Sequence, residues 1–330
     1  MLLGHICDKH TALWNFITLF HMPLFYILSG LVLKINQSIS QFLKNKLITL
    51  YIPYVCIALI VYFIGIPLGD ETISVLNVIK ILLMLYTPGM IGAAWFICCL
   101  FYSELLLKIM FEIKTFIASK FGVCAAKIIF VITSIAFAIV GYNIILPLGG
   151  SRILICTFFL CIGNSISDIV FTKRINAKSI GVLCGGISLV IFGILFFVIS
   201  RNHYSSYSSN TFSNIVISFV SAIVGSGLVY FISIFIEKLH ILKKPFLFLG
   251  VKTIGIVYFQ FIAFKFVNLI IVKTYNLNAV RVNDFPVNYD YNSMVWSIIY
   301  IFFGVWISIV LYEVFAKILR WIENIIIKRG

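Results

Sequence analysis

The sequence predicts an all-α polytopic membrane protein, with about nine complete transmembrane helices and the end of a truncated first helix. Of the 330 residues, 62% are hydrophobic and only 11% are charged, whereas a soluble domain has about 45–50% apolar and about 25% charged residues. The mean hydropathy is +1.11. The apolar residues fall in runs that can each cross a bilayer. A soluble enzyme, a nucleic-acid binder and a disordered chain are therefore excluded, and we expect one integral membrane domain over residues 1–330.

Each predicted span has about 20 mostly apolar residues, because the hydrocarbon core of a bilayer is about 30 Å thick. Residues 73–87 form an apolar run that is too short, so we expect it at the membrane interface or in a re-entrant segment. Residues 1–7 have the pattern of the last turns of a helix whose beginning is absent, through truncation or an upstream start. The nine predicted spans are 11–33, 47–68, 90–107, 121–142, 152–171, 179–200, 213–236, 250–273 and 294–316.

The lysines and arginines are distributed unevenly between the two ends of these spans. With residues 34–46 placed inside, the inner segments and the tail carry 16 of the 25 Lys and Arg residues, the outer segments six and the spans three. Loops rich in Lys and Arg stay in the cytoplasm. We therefore predict a multi-pass protein of the cell membrane with a cytoplasmic C-terminus, and ten spans once the first helix is completed. The net charge of +14 then reflects cytoplasmic loops.

The eight cysteines predict neither a disulfide framework nor a metal site. Seven of them lie in apolar runs, without the spacing of either kind of site. Buried free cysteines act as small hydrophobic residues. We expect no metal and no bound cofactor.

Two histidines lie where an ionisable side chain is costly. His5 ends the first segment, and His21 is about ten residues into the span 11–33, or roughly 15 Å below its start. If the short turn at 8–12 joins two adjacent helices, both side chains can line one outward-facing cavity. An imidazole titrates near neutral pH and can accept a proton from a hydroxyl. The other interpretation is a buried, hydrogen-bonded histidine without chemistry.

Pro23, two residues after His21, supports such a cavity. Proline removes a helix hydrogen bond, and broken backbone is tolerated in a membrane only where protein or a wet cavity satisfies it. The alternative is a simple kink. Ser29 and Gly30 offer a small face for close helix packing.

Polar and aromatic residues of the later spans are further candidates for substrate binding. Lys265 lies in the middle of a span, where a lysine costs about 2.5–3.5 kcal/mol, and we expect it and Gln260 to face a polar interior. Arg152, at the outer mouth of a span, either binds an anion or anchors the helix. Trp95 is either a substrate contact or an interfacial anchor. Glu104 lies near an inner edge, and we expect it to extend towards the membrane surface.

Lys44 and Lys46 lie at the inner end of the span 47–68. Their ammonium groups can attract the phosphates of a cytosolic donor. The positive-inside rule alone also explains them.

Residues 20–33, FHMPLFYILSGLVL, combine a histidine, a proline and a Ser-Gly pair in one apolar segment. This segment closely resembles the F-H-M-P-L-F-F-x-x-S-G signature of the acyltransferase 3 family of membrane proteins, most of all its fucose 4-O-acetylase-like branch. Weaker similarities follow the family's order over nearly the whole chain, at Gly4-His5, KLITLYIP (46–53), Trp95-Phe96 and GVKTIGIVYFQ (250–260).

The resemblance implies ten helices and transfer of an acyl group, usually acetyl, from a coenzyme A thioester to a sugar hydroxyl at the cell envelope. It implies that His5 is the principal catalytic histidine, with His21 nearby. The chain departs from the family in three places. The charged residues that normally precede Gly-His are missing, Thr49 occupies the position of a second arginine, and Gln260 occupies that of a late histidine.

We therefore expect an O-acyltransferase that acylates a cell-surface polysaccharide or its lipid-linked precursor. Acyl-CoA docks near Lys44 and Lys46, and Arg152 and Lys265 are candidates for stabilising the oxyanion. The expected partners are the lipid bilayer, acyl-CoA and a glycan acceptor, with no nucleic acid. The alternatives are a transporter or flippase for an envelope lipid or sugar, a structural membrane partner and an inactive truncated remnant.

Overall fold

The structure, a computed structural model, describes residues 2–7, 11–172, 191, 193–284 and 293–329. Nearly all of these residues that lie in regular structure are helical, and a short antiparallel hairpin joins β1 (Ser205–Ser206) to β2 (Thr211–Phe212). Residues 193–200 are also helical. The labelled helices are α1 Leu2–Ile6, α2 Ala12–Thr18, α3 His21–Val32, α4 Ile39–Lys46, α5 Ile52–Gly65, α6 Val75–Leu82, α7 Trp95–Phe121, α8 Val123–Asn143, α9 Gly150–Thr172, α10 Ile215–Lys238, α11 His240–Thr274 and α12 Ser293–Arg329.

Eight helical stretches among the described residues are long and apolar enough to cross a membrane, which confirms the predicted all-α membrane fold. The short run predicted at the interface forms only α6, of eight residues. The span predicted at 179–200 lies mostly outside the described residues. The eight stretches are Ala12–Val32, Ile39–Gly65, Gly89–Phe121, Val123–Asn143, Pro147–Ser167, Ile215–Ile234, Ile241–Thr274 and Met294–Ile318.

The helices extend further than hydropathy predicts. The span predicted at 90–107 continues to Phe121. The helix α7 alone has 27 residues and is about 40 Å long at 1.5 Å per residue, which exceeds the roughly 30 Å of bilayer hydrocarbon. Hydropathy falls where charged residues begin, although the helical backbone continues past them.

The span at residues 12–32 is two helices, α2 and α3, rather than one kinked helix. The two are separated at Phe20, whose backbone is non-helical (φ −132°, ψ −19°). Pro23 lies in the first turn of α3, where the missing N–H of proline costs little. The irregularity expected at Pro23 is therefore a helix break three residues earlier, and His21 is the first residue of the new helix.

One wide turn interrupts the continuous helical stretch Ile39–Gly65. Residues Leu47–Tyr51 wind as a π-helix between α4 and α5. Pro53 follows two residues later and has no N–H to donate to the carbonyl of Thr49. A π-turn accommodates such an interruption of the hydrogen-bond ladder. The motif KLITLYIP thus has a defined backbone shape.

The described helices form two compact parts. The first part comprises segments 1–8, 55–95 and 236–330, and the second comprises 9–54 and 96–235. In the first part α11 packs along α12, and α1 also contacts α12. Their shared buried core consists of Ile6, Phe264, Val267, Ile271, Trp296 and Tyr300.

In the second part α9 packs against α3 and α8. A Cβ atom on Gly163 would lie 2.0 Å from the carbonyl oxygen of Ile27, and one on Gly30 would lie 2.2 Å from that of Leu160. The α3 and α9 backbones are therefore in direct contact. The close helix packing predicted at Gly30 is confirmed, with Leu160 of α9 against it. Ser29 instead donates to the carbonyl oxygen of Phe25 in its own helix, and Gly163 of α9 is a second point of close approach that the sequence did not indicate.

Candidate functional site

His5 lies in α1 of the first part and is positioned by apolar packing. The next residue, Ile6, is buried beside Phe264. The imidazole meets the ring of Phe261 edge-on, with centroids 4.9 Å apart and planes at 89°. A Cβ atom on Gly92 would lie 2.9 Å from the same phenylalanine ring. Phe261 thus lies between His5 of α1 and the 3₁₀ helix Gly89–Ala94, and we expect a shift of its ring to displace His5.

Two other candidates flank this arrangement in the first part. Gln260, directly before Phe261 in α11, is fully buried. Trp95 is half-buried and begins α7 directly after the 3₁₀ helix. Both are anchored on the segments that enclose Phe261. Their roles in binding substrate stay predictions.

Lys265, one turn further along α11, is ion-paired. Its Nζ donates to Oδ2 of Asp70 at 2.6 Å and to Oδ1 of Asn283 at 3.0 Å. Asn268 donates to the carbonyl oxygens of Val282 and Asp284 at 2.9 and 2.6 Å. An opposite charge offsets the cost of a lysine within an apolar helix. The polar surroundings expected for Lys265 thus come from residues distant in sequence.

Glu71 organises the segment next to this ion pair. Its carboxylate accepts hydrogen bonds from the hydroxyl of Tyr86 and, at 2.9 Å, from the backbone N–H of Gly89. Burial and the hydrogen bond to Glu71 raise the pKa of Tyr86 well above its usual range, so the phenol remains a donor at neutral pH. Gly89 begins the 3₁₀ helix that packs on Phe261, so Glu71 fixes where that helix starts.

His21 lies in the second part and is held by a directed hydrogen bond. Its Nδ1 is 2.9 Å from the carbonyl oxygen of Ile17, in the last turn of α2. Because a carbonyl can only accept, Nδ1 carries the proton, and Nε2 of the neutral ring carries the lone pair. This is a tautomer that can accept a proton at Nε2. The hydrogen bond across the break between α2 and α3 therefore favours one tautomer of the neutral His21 ring.

The two histidines belong to different compact parts, so the cavity that they were expected to share stays a prediction. In the described part of the chain, no group of three or more His, Cys, Asp and Glu side chains is arranged to hold a metal ion.

Lys46 forms an ion pair that the sequence did not reveal. Its Nζ lies 2.8 Å from Oε2 of Glu104, and Glu104 is only 3% exposed. The expectation that Glu104 extends towards the membrane surface is wrong, because its charge is balanced inside the second part. Lys44, two residues earlier, is exposed. Of the two predicted donor-binding lysines, one therefore has a buried acidic partner and the other is open.

Lys108 is the first residue after the predicted span 90–107, but α7 continues past it to Phe121. It is 4% exposed, and its Nζ donates to the carbonyl oxygens of Ile35 and Gln37 at 2.9 and 2.7 Å. It also pairs with Glu112. Lys108 thus holds the segment that connects α3 to α4 against α7.

Arg152 contacts the polar loop 201–212. Its Nη1 donates to the carbonyl oxygen of Ser208 at 3.0 Å. This contact favours the anchoring interpretation of Arg152 over anion binding.

Comparison with known proteins identifies the family. A family model described as an acyltransferase domain matches residues 2–313, a range that includes both His5 and Lys265. No curated protein and no solved structure matches the chain. The matched range covers nearly all of the 330 residues, and it holds the eight membrane-spanning stretches apart from the last residues of the final one. The chain therefore belongs to the acyltransferase 3 family of integral membrane acyltransferases.

Proposed function

We propose that the protein is an O-acyltransferase that moves an acyl group, acetyl in the simplest case, from acyl-CoA to a sugar hydroxyl. The acceptor is a cell-surface polysaccharide or its lipid-linked precursor. Membership of the family supplies the reaction class. The observation that carries the catalytic part is the edge-on contact of His5 with Phe261, which holds an imidazole at one position.

In the proposed reaction His5 removes the proton of the acceptor hydroxyl as its oxygen attacks the thioester carbonyl. The tetrahedral intermediate then collapses, the carbon–sulfur bond breaks and the departing thiolate takes up the proton. A positioned base contributes about 10²–10⁴-fold to the rate, and holding the two substrates together contributes more. His21, with its lone pair on Nε2, is the second group able to accept a proton.

The donor docks through its phosphates at Lys44 and Lys46. These two lysines lie at the end of the span 47–68 that is predicted to face the cytoplasm. The exposed ammonium of Lys44 supports this step more directly than the paired ammonium of Lys46. Arg152 and Lys265 were expected near the oxyanion, but their contacts with Ser208 and Asp70 support anchoring roles. Acyl-CoA is a substrate here, and the protein sits in the cell membrane with its C-terminus in the cytoplasm.

The reaction is tested by supplying isotopically labelled acetyl-CoA and the host's surface glycan to membranes that contain the protein. We expect the glycan to gain the mass of labelled acetyl groups, which mild alkali removes because they are esters. Membranes without the protein are the control. A glycan that crosses the membrane with its mass unchanged would instead support a transporter.

A further inference from the structure

A cavity of about 700 Å³ lies in the second part, away from His21 in α3. The ends of α3, α7 and α9 meet the start of α8 there. The charge distribution predicts that these helix ends face the cytoplasm. The polar side chains that line the cavity are Lys114, Lys127, Asn36, Asn164, Ser165 and Ser167.

The polar half of the cavity is suited to an anion. None of the described residues that line it is acidic, and neither Lys114 nor Lys127 forms a salt bridge with a described carboxylate. Lys114 holds its Nζ 4.9 Å from the ring centroid of Phe130, a cation–π contact that keeps the ammonium at the cavity wall. The nearby amides and hydroxyls can bond to the oxygens of a phosphate or of glycerol.

The other half of the cavity is apolar and faces the lipid-exposed surface of the spans. Val32 of α3 and Val131 of α8 line it, and they are 66% and 50% exposed. In a membrane these side chains contact hydrocarbon. A ligand that satisfies both halves carries an anionic phosphate joined to a hydrocarbon chain.

We propose that this cavity is a binding site for one anionic phospholipid. The phosphate lies between Lys114 and Lys127, and an acyl chain lies along Val32 and Val131. Basic pockets between membrane helices on the cytoplasmic side bind anionic lipid head groups. The site uses none of the residues proposed for acyl transfer, so lipid binding there is independent of that reaction.

The test measures lipid retained by the purified full-length protein in mild detergent, by native mass spectrometry. Phosphatidylglycerol is titrated against phosphatidylcholine, with glycerol 3-phosphate as the soluble phosphate. The variant Lys114→Gln/Lys127→Gln removes both cavity charges. The matched control, Lys120→Gln/Lys244→Gln, removes two exposed lysines from the same predicted side that do not line the cavity.

We expect the parent and the control to retain phosphatidylglycerol in preference to phosphatidylcholine. The cavity variant should bind it roughly 25-fold more weakly, since each lysine near an anionic head group contributes about fivefold. Equal loss in the control would show non-specific charge attraction and overturn the proposal. Binding of glycerol 3-phosphate as tightly as the lipid would assign the cavity to a soluble phosphate instead. Circular dichroism on both variants confirms that they are folded before binding is compared.

Discussion

The two histidines of the proposed reaction are held in different ways. His5 is positioned by packing, with its ring against the edge of Phe261 in the first part. His21 is held by a hydrogen bond to the carbonyl oxygen of Ile17 in the second part. The ring contact fixes where the imidazole of His5 lies, whereas the hydrogen bond of His21 also fixes a tautomer. The surroundings of His5 should therefore be sensitive to added volume, and those of His21 to the loss of a donor.

The largest effect on stability is expected in the second part, where backbones touch. In Gly163→Ala the new Cβ meets the carbonyl oxygen of Ile27 at 2.0 Å, so α3 and α9 must separate. Overpacking typically costs about 1–3 kcal/mol, and backbone cannot yield as a side chain does, so we expect a loss of about 3 kcal/mol in the free energy of unfolding. Thermal unfolding in detergent measures it.

The control for this change is Gly227→Ala, in the same part of the fold. A Cβ atom there meets nothing within 4 Å, and alanine favours helix over glycine by up to about 1 kcal/mol. The control should match the parent or exceed it in stability. If the two variants unfold alike, the close contact between α3 and α9 is not what holds α3 in place.

The corresponding change beside His5 should affect activity more than stability. In Gly92→Ala the new Cβ lies 2.9 Å from the ring of Phe261, which can move because it is a side chain. We expect a destabilisation of about 1 kcal/mol but roughly a tenfold fall in acyl transfer, because misplacing a catalytic group by 1 Å can cost about 10²-fold. Rates and unfolding temperatures are measured on one preparation.

Gly89→Ala is the matched control, since it lies in the same 3₁₀ helix and its Cβ would meet nothing within 4 Å. Its backbone N–H to Glu71 is retained. Equal activity of the two variants would argue that Phe261 does not position His5.

The smallest change in stability is expected when the hydrogen bond of His21 is removed. In His21→Ala the bond to Ile17 is lost, which costs about 1 kcal/mol. In His21→Asn the side-chain amide occupies the place of Nδ1–H and can still donate to that carbonyl. We expect the asparagine variant to unfold at the temperature of the parent and the alanine variant below it. Equal unfolding temperatures for both variants would show that the bond contributes nothing to joining α2 and α3.

Composition and hydropathy predict the membrane spans well, because burial of about 20 apolar residues in lipid is a local property of the chain. The ion pairs between helices could not be predicted in the same way. Lys265 and Asp70 are 195 residues apart, and Lys46 meets Glu104 on another helix. Each such pair depends on how the helices pack, and local hydropathy and charge do not indicate which distant residues meet. A charged residue within an apolar run indicates that a partner is needed, as at Lys265 and Glu104. It does not indicate which residue that partner is.

The candidate site was also predictable only in part: the sequence indicated its histidines but not the contacts that hold them. The pattern around Pro23 indicated an irregular backbone beside His21, since proline cannot complete the helix ladder. The break itself lies at Phe20, before the proline. The packing of His5 on Phe261 joins residues 256 positions apart in sequence, and the sequence singled out Gln260 and Lys265 on the same helix but not Phe261.

The most direct test of the account compares His5→Ala with His203→Ala in the labelled acetyl-transfer assay. His203 lies in the loop 201–212, where its ring contacts Ser213, and it has no proposed part in the reaction. We predict that His5→Ala lowers the rate of acetyl transfer by about 10²–10⁴-fold at unchanged expression, while His203→Ala retains the rate of the parent. Full acetyl transfer by well-expressed His5→Ala would contradict the assignment of His5 as the base.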